Sequence, residues 1–370
     1  MVGHSLTPKR VVVACADPGV PLYGPSGASA HLRGIARALS AVGHDVQVAC
    51  ARADDARGRW DDAPPIPARH PGGLRWPPGL RSFGVRVEGW ALAASAASHR
   101  PDRLWERHEP RSRAFGRWAA WTGVERWVEL NAPLSIERRW PQSPRPREAA
   151  REREALRSAD RVLAVSRWLA DWAVDQGCAP ERVVHLPNGV EPQGPGDRQR
   201  ARASLGWDGP VLGFLGSGRP WHGVDRLPAL LDALGPTWAA VVIGGGPAPT
   251  HPRLRALGHR PQAELPGWVS AFDVGIAPYR ADAPRWFCPL KLLAYRAQGV
   301  PVVAPDLGDC RALMGDAGRT PASDRPEAWA EAIEAARGLP RTRWVRSWVD
   351  VALQAELTPE GAGAPSARTS

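Results

Sequence analysis

The first stretch of the chain constrains its fold more than any other. Arg10 to Ala16 is a short, valine-rich apolar run that ends in a loop of glycine and proline reaching Gly27. Behind the loop, Leu32, Ile35, Ala36 and Leu39 recur at the spacing of one buried helix face. Gly43 then stops the helix, and Asp45 to Cys50 supplies a second apolar run. Two strands joined through a helix cannot form a hairpin. The helix is a crossover that lays them side by side and parallel, so the chain opens as a βαβ unit.

The alternation continues. Helices are expected near Val87 to Ser98, Ser112 to Thr122, Arg147 to Ser158 and Trp168 to Asp175. Strands are expected at Arg103 to Arg107, Arg126 to Leu130, Arg161 to Val165 and Arg182 to Leu186. Arg52 to Gly84, dominated by Pro, Arg, Gly and Asp, loses periodicity and is expected to be a long mobile loop. Glu191 to Arg202 holds almost no large apolar residue and is expected to be a linker.

A second series follows, with strands at Val211 to Leu215, Ala240 to Ile243, Val274 to Ala277 and Val302 to Ala304. Its helices are expected at Val224 to Leu234, Ala263 to Ala271 and Leu290 to Gln298. With 370 residues, and roughly 100–200 residues per domain, the expected fold class is α/β with two successive doubly wound domains. Their expected limits are residues 1–190 and 206–340, joined by a linker at 191–205, with a frayed tail at 358–370.

Composition removes whole classes of protein. Hydrophobic residues at 43% and charged residues at 23% exclude collagen, coiled coil and wholesale disorder. After Lys9 and Arg10 only Val11 to Ala16 is apolar before Asp17, shorter than the ~7–15 residues of a signal-peptide core, so a cytoplasmic location is expected. The five cysteines are scattered without CxxC spacing, so neither a disulfide framework nor a zinc site is implied. The net charge of +10 comes almost wholly from arginine: Lys9 and Lys291 are the only lysines among 48 basic residues. Lys291 is therefore conspicuous. The arginines are spread along the chain with no nucleic-acid-binding motif, so no nucleic acid is expected as a partner.

Glycine loops stand where strands end: Gly24 and Gly27, Gly216 and Gly218, and Gly244 to Gly246 with Gly245 at its centre. Such loops let backbone amides approach a phosphate, and each is also compatible with a plain strand-to-helix turn. Neither GxGxxG nor GxxxxGK[ST] occurs at these places, which removes the main support for a nicotinamide dinucleotide or P-loop site. Arg219 and His222 follow the second loop directly, and Lys291 stands just after Pro289 and Leu290 at the start of a helix. Cations so placed can stabilise a diphosphate leaving group without a metal, and no paired acidic motif points to one.

These residues belong to a longer series. Gly27-Ala-Ser-Ala-His31 through Gly43-His-Asp45 comes first, then Arg100-Pro-Asp102 with Trp105-Glu-Arg107. Glu129-Leu-Asn-Ala-Pro-Leu134, Ser158-Ala-Asp-Arg-Val162 with Val165-Ser166, and Leu186-Pro-Asn-Gly-Val190 follow. Arg219-Pro-Trp-His-Gly223, Ala271-Phe-Asp-Val-Gly275 and Pro289-Leu-Lys291 through Gly299-Val-Pro-Val-Val303 complete it. In order and spacing, residues 10–355 resemble the retaining glycosyltransferases of family 4. The resemblance implies a GT-B fold: two Rossmann-like domains facing a cleft, with Arg341 to Leu357 returning as a helix onto the first.

It further implies an enzyme that moves a sugar from a nucleotide-sugar donor to an acceptor (glycan, lipid or small molecule), with no cofactor and no metal. Arg219 and Lys291 would hold the diphosphate, with Asn131 near the sugar. Gly27, Gly216, Gly218, His222, Gly245, Pro289 and Leu290 would line the donor site. Two positions, Trp286 and Ala294, stand where relatives commonly carry glutamates, and His222 stands where a lysine is frequent. The alternative they motivate is a chain of this fold that binds a partner and no longer transfers.

Arg111 to Trp127 combines Arg111, Arg113, Arg117 and Arg126 with Phe115, Trp118, Trp121 and Trp127. The expectation is that the aromatics pack inward and the arginines face water. The alternative is peripheral contact with the anionic inner face of a membrane.

Overall fold

The computed structural model describes residues 6–53, 67–69, 81–109 and 113–359. The first half builds a seven-stranded parallel sheet from β1 (Arg10–Cys15), β2 (Asp45–Cys50), β3 (Ala68–Arg69), β4 (Arg103–Arg107), β5 (Glu125–Leu130), β6 (Arg161–Ala164) and β7 (Val183–His185). Their spatial order is β3-β2-β1-β4-β5-β6-β7. The helices of this half are α1 (Gly27–Ala41), α2 (Arg81–Ala97), α3 (Ala114–Thr122), α4 (Leu134–Glu137), α5 (Pro146–Arg157) and α6 (Arg167–Asp175).

The second half holds α7 (Arg198–Leu205), β8 (Val211–Leu215), α8 (Leu227–Leu234), β9 (Ala239–Ile243), β10 (Leu254–Gly258), α9 (Leu265–Ser270), β11 (Val274–Ile276), α10 (Leu290–Ala297), β12 (Val302–Val303), α11 (Cys310–Met314), β13 (Gly318–Arg319), α12 (Pro326–Arg337) and α13 (Trp348–Leu357). Its six strands are also parallel, ordered β10-β9-β8-β11-β12-β13.

Both sheets reverse winding direction once, beside β1 in the first and beside β8 in the second. In a doubly wound sheet that switch point opens a crevice at the carboxyl ends of the strands, where a ligand can enter. The Gly27 loop follows β1, the Gly216 loop follows β8, and Lys291 opens the helix that follows β11, beside β8. Topology therefore delivers the glycine loops and the conspicuous lysine to the two switch points.

Local chemistry starts the helices on time. Ser26 accepts the Ser29 N–H at 3.1 Å and caps α1; Ser166 accepts the Leu169 N–H at 3.2 Å and caps α6. The Ser166 hydroxyl also donates to the Trp286 carbonyl at 2.8 Å, joining the two halves. One buried apolar cluster runs across that junction, from Val128, Leu130 and Leu169 to Trp286, Leu292 and Tyr295.

Several elements differ from the sequence reading. The stretch taken as linker contains α7, which has Ala201 as its sole buried residue and thus no apolar stripe to betray it. It is held instead by Arg198 and Arg202, both paired to Asp273. β10, β13 and α12 were also not anticipated: β10 is largely exposed, and β13 has only two residues. The returning helix begins at Trp348 rather than Arg341. Before it, Arg341, Arg343 and Arg346 spend their guanidinium groups on the carbonyls of Phe272, Ala297 and Pro187, pinning an extended strap. Helix then starts at a reciprocal cap, with Ser347 accepting the Asp350 N–H and Asp350 accepting the Ser347 N–H. α13 packs on α1 and contributes Trp348, Val351, Ala352 and Ala355 to the core beneath β1 and β2.

Most of the loop expected at Arg52 to Gly84, Arg111, and the tail from 360 lie outside the described residues. Of the aromatic and basic stretch, Phe115, Trp118 and Trp127 are buried, as the inward reading expects. Arg126 is a correction to that reading: it is buried and donates to Glu106 at 2.7 Å, because it lies on β5 inside the sheet. Trp121 is a second correction, 86% exposed at the end of α3.

Candidate active site

Two loops meet tip to tip at the carboxyl edge of the second sheet. Gly244 has φ +129°, and a Cβ there would lie 2.0 Å from the Gly216 carbonyl, so only glycine lets the loops after β8 and β9 touch. Gly218 stands against the Gly245 carbonyl, and Gly245 in turn against the His259 ring. A Cβ on Gly216 would lie 3.2 Å from the Lys291 Nζ, so the missing side chain at 216 makes room for the lysine.

Lys291 is the most unusual group in the cluster. It is buried, and its Nζ has no hydrogen-bond partner among the described residues. The ammonium faces the rings of Phe214 at 4.2 Å and Tyr279 at 4.9 Å, a cation–π cradle that offsets part of the lost hydration. Burial pulls its pKa down to about 7, with only a small opposing effect from Cys310. Among the described residues no acceptor stands within hydrogen-bond distance of this buried amine.

His222 accepts the Arg219 N–H on Nδ1 at 3.2 Å. Its pKa lies far below the usual histidine range, first through burial and then through the charges of Lys291 and Arg219. The ring is therefore neutral, and with Nδ1 accepting, the proton sits on Nε2 as a donor. Arg219 is exposed, its guanidinium 5.8 Å from the Trp221 ring, with no acid within ion-pair distance among the described residues.

Pro289 precedes α10 as its N-cap residue, and Leu290 reaches across to the first half. A Cβ on Gly27 would sit 3.4 Å from the Leu290 side chain, so these two residues face each other between the halves. The structure thus gathers Gly216, Gly218, His222, Gly245 and Lys291 into one cluster and sets Gly27 against Leu290. Asn131 lies in a separate network on the first half, at the carboxyl end of β5, where its amide donates to Glu129.

That network holds residues the sequence reading quoted in motifs without assigning them a role. Glu129 accepts from His31 at 2.9 Å and Trp105 at 2.8 Å, and Arg107 lies 3.5 Å away. A carboxylate at the end of an otherwise apolar strand (Trp127-Val-Glu-Leu130) was the available signal. Glu137 on α4 is a further one. Burial raises its carboxyl pKa, against the pull of Arg219 from the second half and of Arg107 and Arg138 from the first.

Of the two positions that depart from the family pattern, Trp286 is buried and its carbonyl serves the Ser166 bond between the halves. Ala294 faces a hollow beside α10 that Glu191, Gln262, Leu265 and Gln298 also line.

Comparison with known proteins places this geometry. Residues 25–193 match the family described as Glycosyltransferase Family 4, and residues 209–337 match Glycosyl transferases group 1. Over 174 residues the chain is 36% identical to a phosphatidyl-myo-inositol mannosyltransferase of Propionibacterium freudenreichii, covering 43% of this chain and 44% of that protein. Over 222 residues it is 31% identical to D-inositol 3-phosphate glycosyltransferase 1 of Catenulispora acidiphila, covering 51% and 52%. The matched stretches thus span about half the length of these curated relatives.

Among solved structures, sucrose-phosphate synthase from Thermosynechococcus elongatus superposes with a TM-score of 0.71 at 17% identity, over 94% of this chain and 97% of that one. Anabaena HepE in complex with UDP-glucose gives 0.66 at 18% identity, over 97% and 94%. The shared architecture is the GT-B fold, two parallel-sheet α/β units. The chain belongs to the glycosyltransferases of family 4, with a group 1 glycosyltransferase domain as its second half.

Proposed function

We propose that the chain transfers a sugar from a nucleotide-sugar to an acceptor hydroxyl, without a metal ion and with retention at the anomeric carbon. The observation that carries this reading is the buried Lys291 Nζ with no hydrogen-bond partner among the described residues, beside the Gly216 loop. As the bond between the sugar and the diphosphate breaks, charge accumulates on the leaving oxygens. Lys291 supplies a fixed cation there, Arg219 a second at the rim, and His222 a neutral N–H donor. Groups oriented beforehand in a water-poor site stabilise that charge without reorganising during the reaction.

The test is release of free nucleoside diphosphate from UDP-, GDP- and ADP-sugars, with and without EDTA, in the presence of inositol- and sugar-based acceptors. Turnover of one donor, unchanged by EDTA, is the expected result. Arg219→Ala is expected to lower kcat/KM by about tenfold to a hundredfold, the worth of one charge-assisted contact. Binding of a nucleotide with no turnover of any donor would instead support the partner-binding alternative.

One observation favours a lipid acceptor. Trp121 at 86% exposed stands one helical turn from the exposed Arg117, and Trp90 at 48% exposed lies on α2, which packs against α3. An exposed arginine and an exposed tryptophan on one helix face suit an anionic headgroup layer. The chain is expected to float with vesicles containing anionic lipid and not with neutral ones, and Trp121→Ala to weaken flotation several-fold. Equal recovery of both proteins on both vesicles would contradict a membrane role. Among the described residues no helix is long and apolar enough to cross a membrane.

A further inference from the structure

We infer that Glu129 is a positioning residue: it fixes the side-chain amide of Asn131 with its carbonyl oxygen turned away from the network, making that oxygen an acceptor for a substrate hydroxyl. The inference rests on the transferase reading for its substrate and on the structure alone for its geometry.

Glu129 is 4% exposed and is the hub of the polar network at the end of β5. Its Oε2 takes the Trp105 indole N–H at 2.8 Å, while its Oε1 faces His31 Nε2 at 2.9 Å and the Asn131 amide. Burial pushes the carboxyl up, but His31, Arg107 and Asn131 outweigh it and hold the pKa down at about 2. The group is therefore a carboxylate at any working pH, and a carboxylate only accepts. The Asn131 atom turned toward it must be the NH2.

This settles which end of the amide is spent. Asn131 Nδ2 is committed to Glu129, whereas Oδ1 has no partner among the described residues and is not shut away from solvent. Asn131 begins the loop at the carboxyl end of β5, on the edge of the sheet that also bears the Gly27 loop. An asparagine held this way turns its carbonyl lone pairs outward, with one N–H spent on Glu129 and the second beside it. At that carbonyl a hydroxyl, which can donate, is accepted, and a phosphate or carboxylate oxygen, which cannot, is not.

Because the pair is isosteric on exchange, it can be swapped. Asn131→Asp alone sets two carboxylates side by side and turns the open oxygen away, and kcat/KM is expected to fall about a hundredfold. Glu129→Gln alone frees the Asn131 amide to flip, at a cost of about tenfold. In the double variant Glu129→Gln/Asn131→Asp, the glutamine amide donates to the aspartate from the Oε1 position, giving up the bond to His31 there; net charge is preserved, and an oxygen again faces outward. Its kcat/KM is expected to return to within about fivefold of the parent, a rescue worth a charge-assisted hydrogen bond. A merely structural role for Glu129 would move melting temperature with the single variants and give no such rescue of turnover.

A double variant no more active than Asn131→Asp would overturn the inference, as would full activity in all three. If the parent chain turns over no donor, that failure belongs to the transferase reading. The geometry is then read from protein labelled with 15N-asparagine. An Asn131 amide pair with one proton shielded from solvent exchange, lost in Glu129→Gln, supports the inference, and a freely exchanging pair in the parent overturns it.

Discussion

Lys291→Met is expected to melt several degrees higher than the parent chain while losing about a hundredfold in affinity for a nucleoside diphosphate. The two effects have one cause. A folded-state pKa of about 7 lies far below the 10.5 of a free lysine, so folding works against the charged form. With the cation–π contacts to Phe214 and Tyr279 set against it, the net cost at neutral pH is on the order of 2–3 kcal/mol. A methionine fills the same channel with no charge to desolvate.

The sign of the pH dependence follows. Between about pH 7 and 10.5 the unfolded chain holds the lysine proton and the folded chain does not, so stability of the parent rises with pH through that window. Above pH 9 the buried thiols oppose the trend: Cys15, Cys288 and Cys310 are pushed up to about 12 by burial, so the unfolded chain loses protons that the folded chain keeps. His222, neutral in the folded chain, adds a smaller rise near pH 6.5, so melts of parent and Lys291→Met at pH 6.5 and 8.5 together isolate the lysine. The parent should gain stability from the first to the second and Lys291→Met should change less. A variant that melts lower, or binds the nucleotide equally well, would contradict this account of the residue.

The second large effect concerns the returning helix. Trp348 is 4% exposed; its ring lies against His31 with centroids 4.6 Å apart and fills the space left by Gly34, where a Cβ would meet the indole at 2.3 Å. Trp348→Ala empties that site and is expected to cost about 3–5 kcal/mol. α13 remains tethered by Arg161, which donates to the Ala355 carbonyl at 2.8 Å, and by the Arg103–Glu356 pair. The helix should therefore loosen rather than detach. His31 loses its stacking partner and with it part of the support for Glu129. Nucleotide affinity, which the proposed reading assigns to the second half, should change less than about threefold, while turnover falls by about tenfold. Chemical denaturation of parent and variant checks the first figure, and paired binding and rate measurements check the second. An unchanged melting temperature would show that the helix does not depend on this contact.

The order of strands and glycine loops was legible because buried parallel strands are continuous apolar runs and the turns between strand and helix need glycine. Elements without an apolar signature were not. α7 is held by arginine–aspartate pairs, β10 is an exposed edge, and the strap before Trp348 is pinned by arginines on carbonyls. Lys291 could be singled out because arginine supplies nearly every other cation. Its lack of a hydrogen-bond partner among the described residues, and the neutral state of His222, depend on burial that no local spacing encodes. The Glu129 network was hidden for the same reason, since His31, Trp105, Arg107 and Asn131 converge from four separate segments.

The most direct test of the central claim is calorimetric titration of the chain with UDP, GDP and ADP at pH 8 in two buffers of different ionisation heat. If the diphosphate settles on Lys291, binding restores its charge, and one nucleotide should bind with uptake of up to about one proton, an uptake absent in Lys291→Met. Binding with no proton uptake, or binding that the variant retains, would place the diphosphate elsewhere and contradict the account.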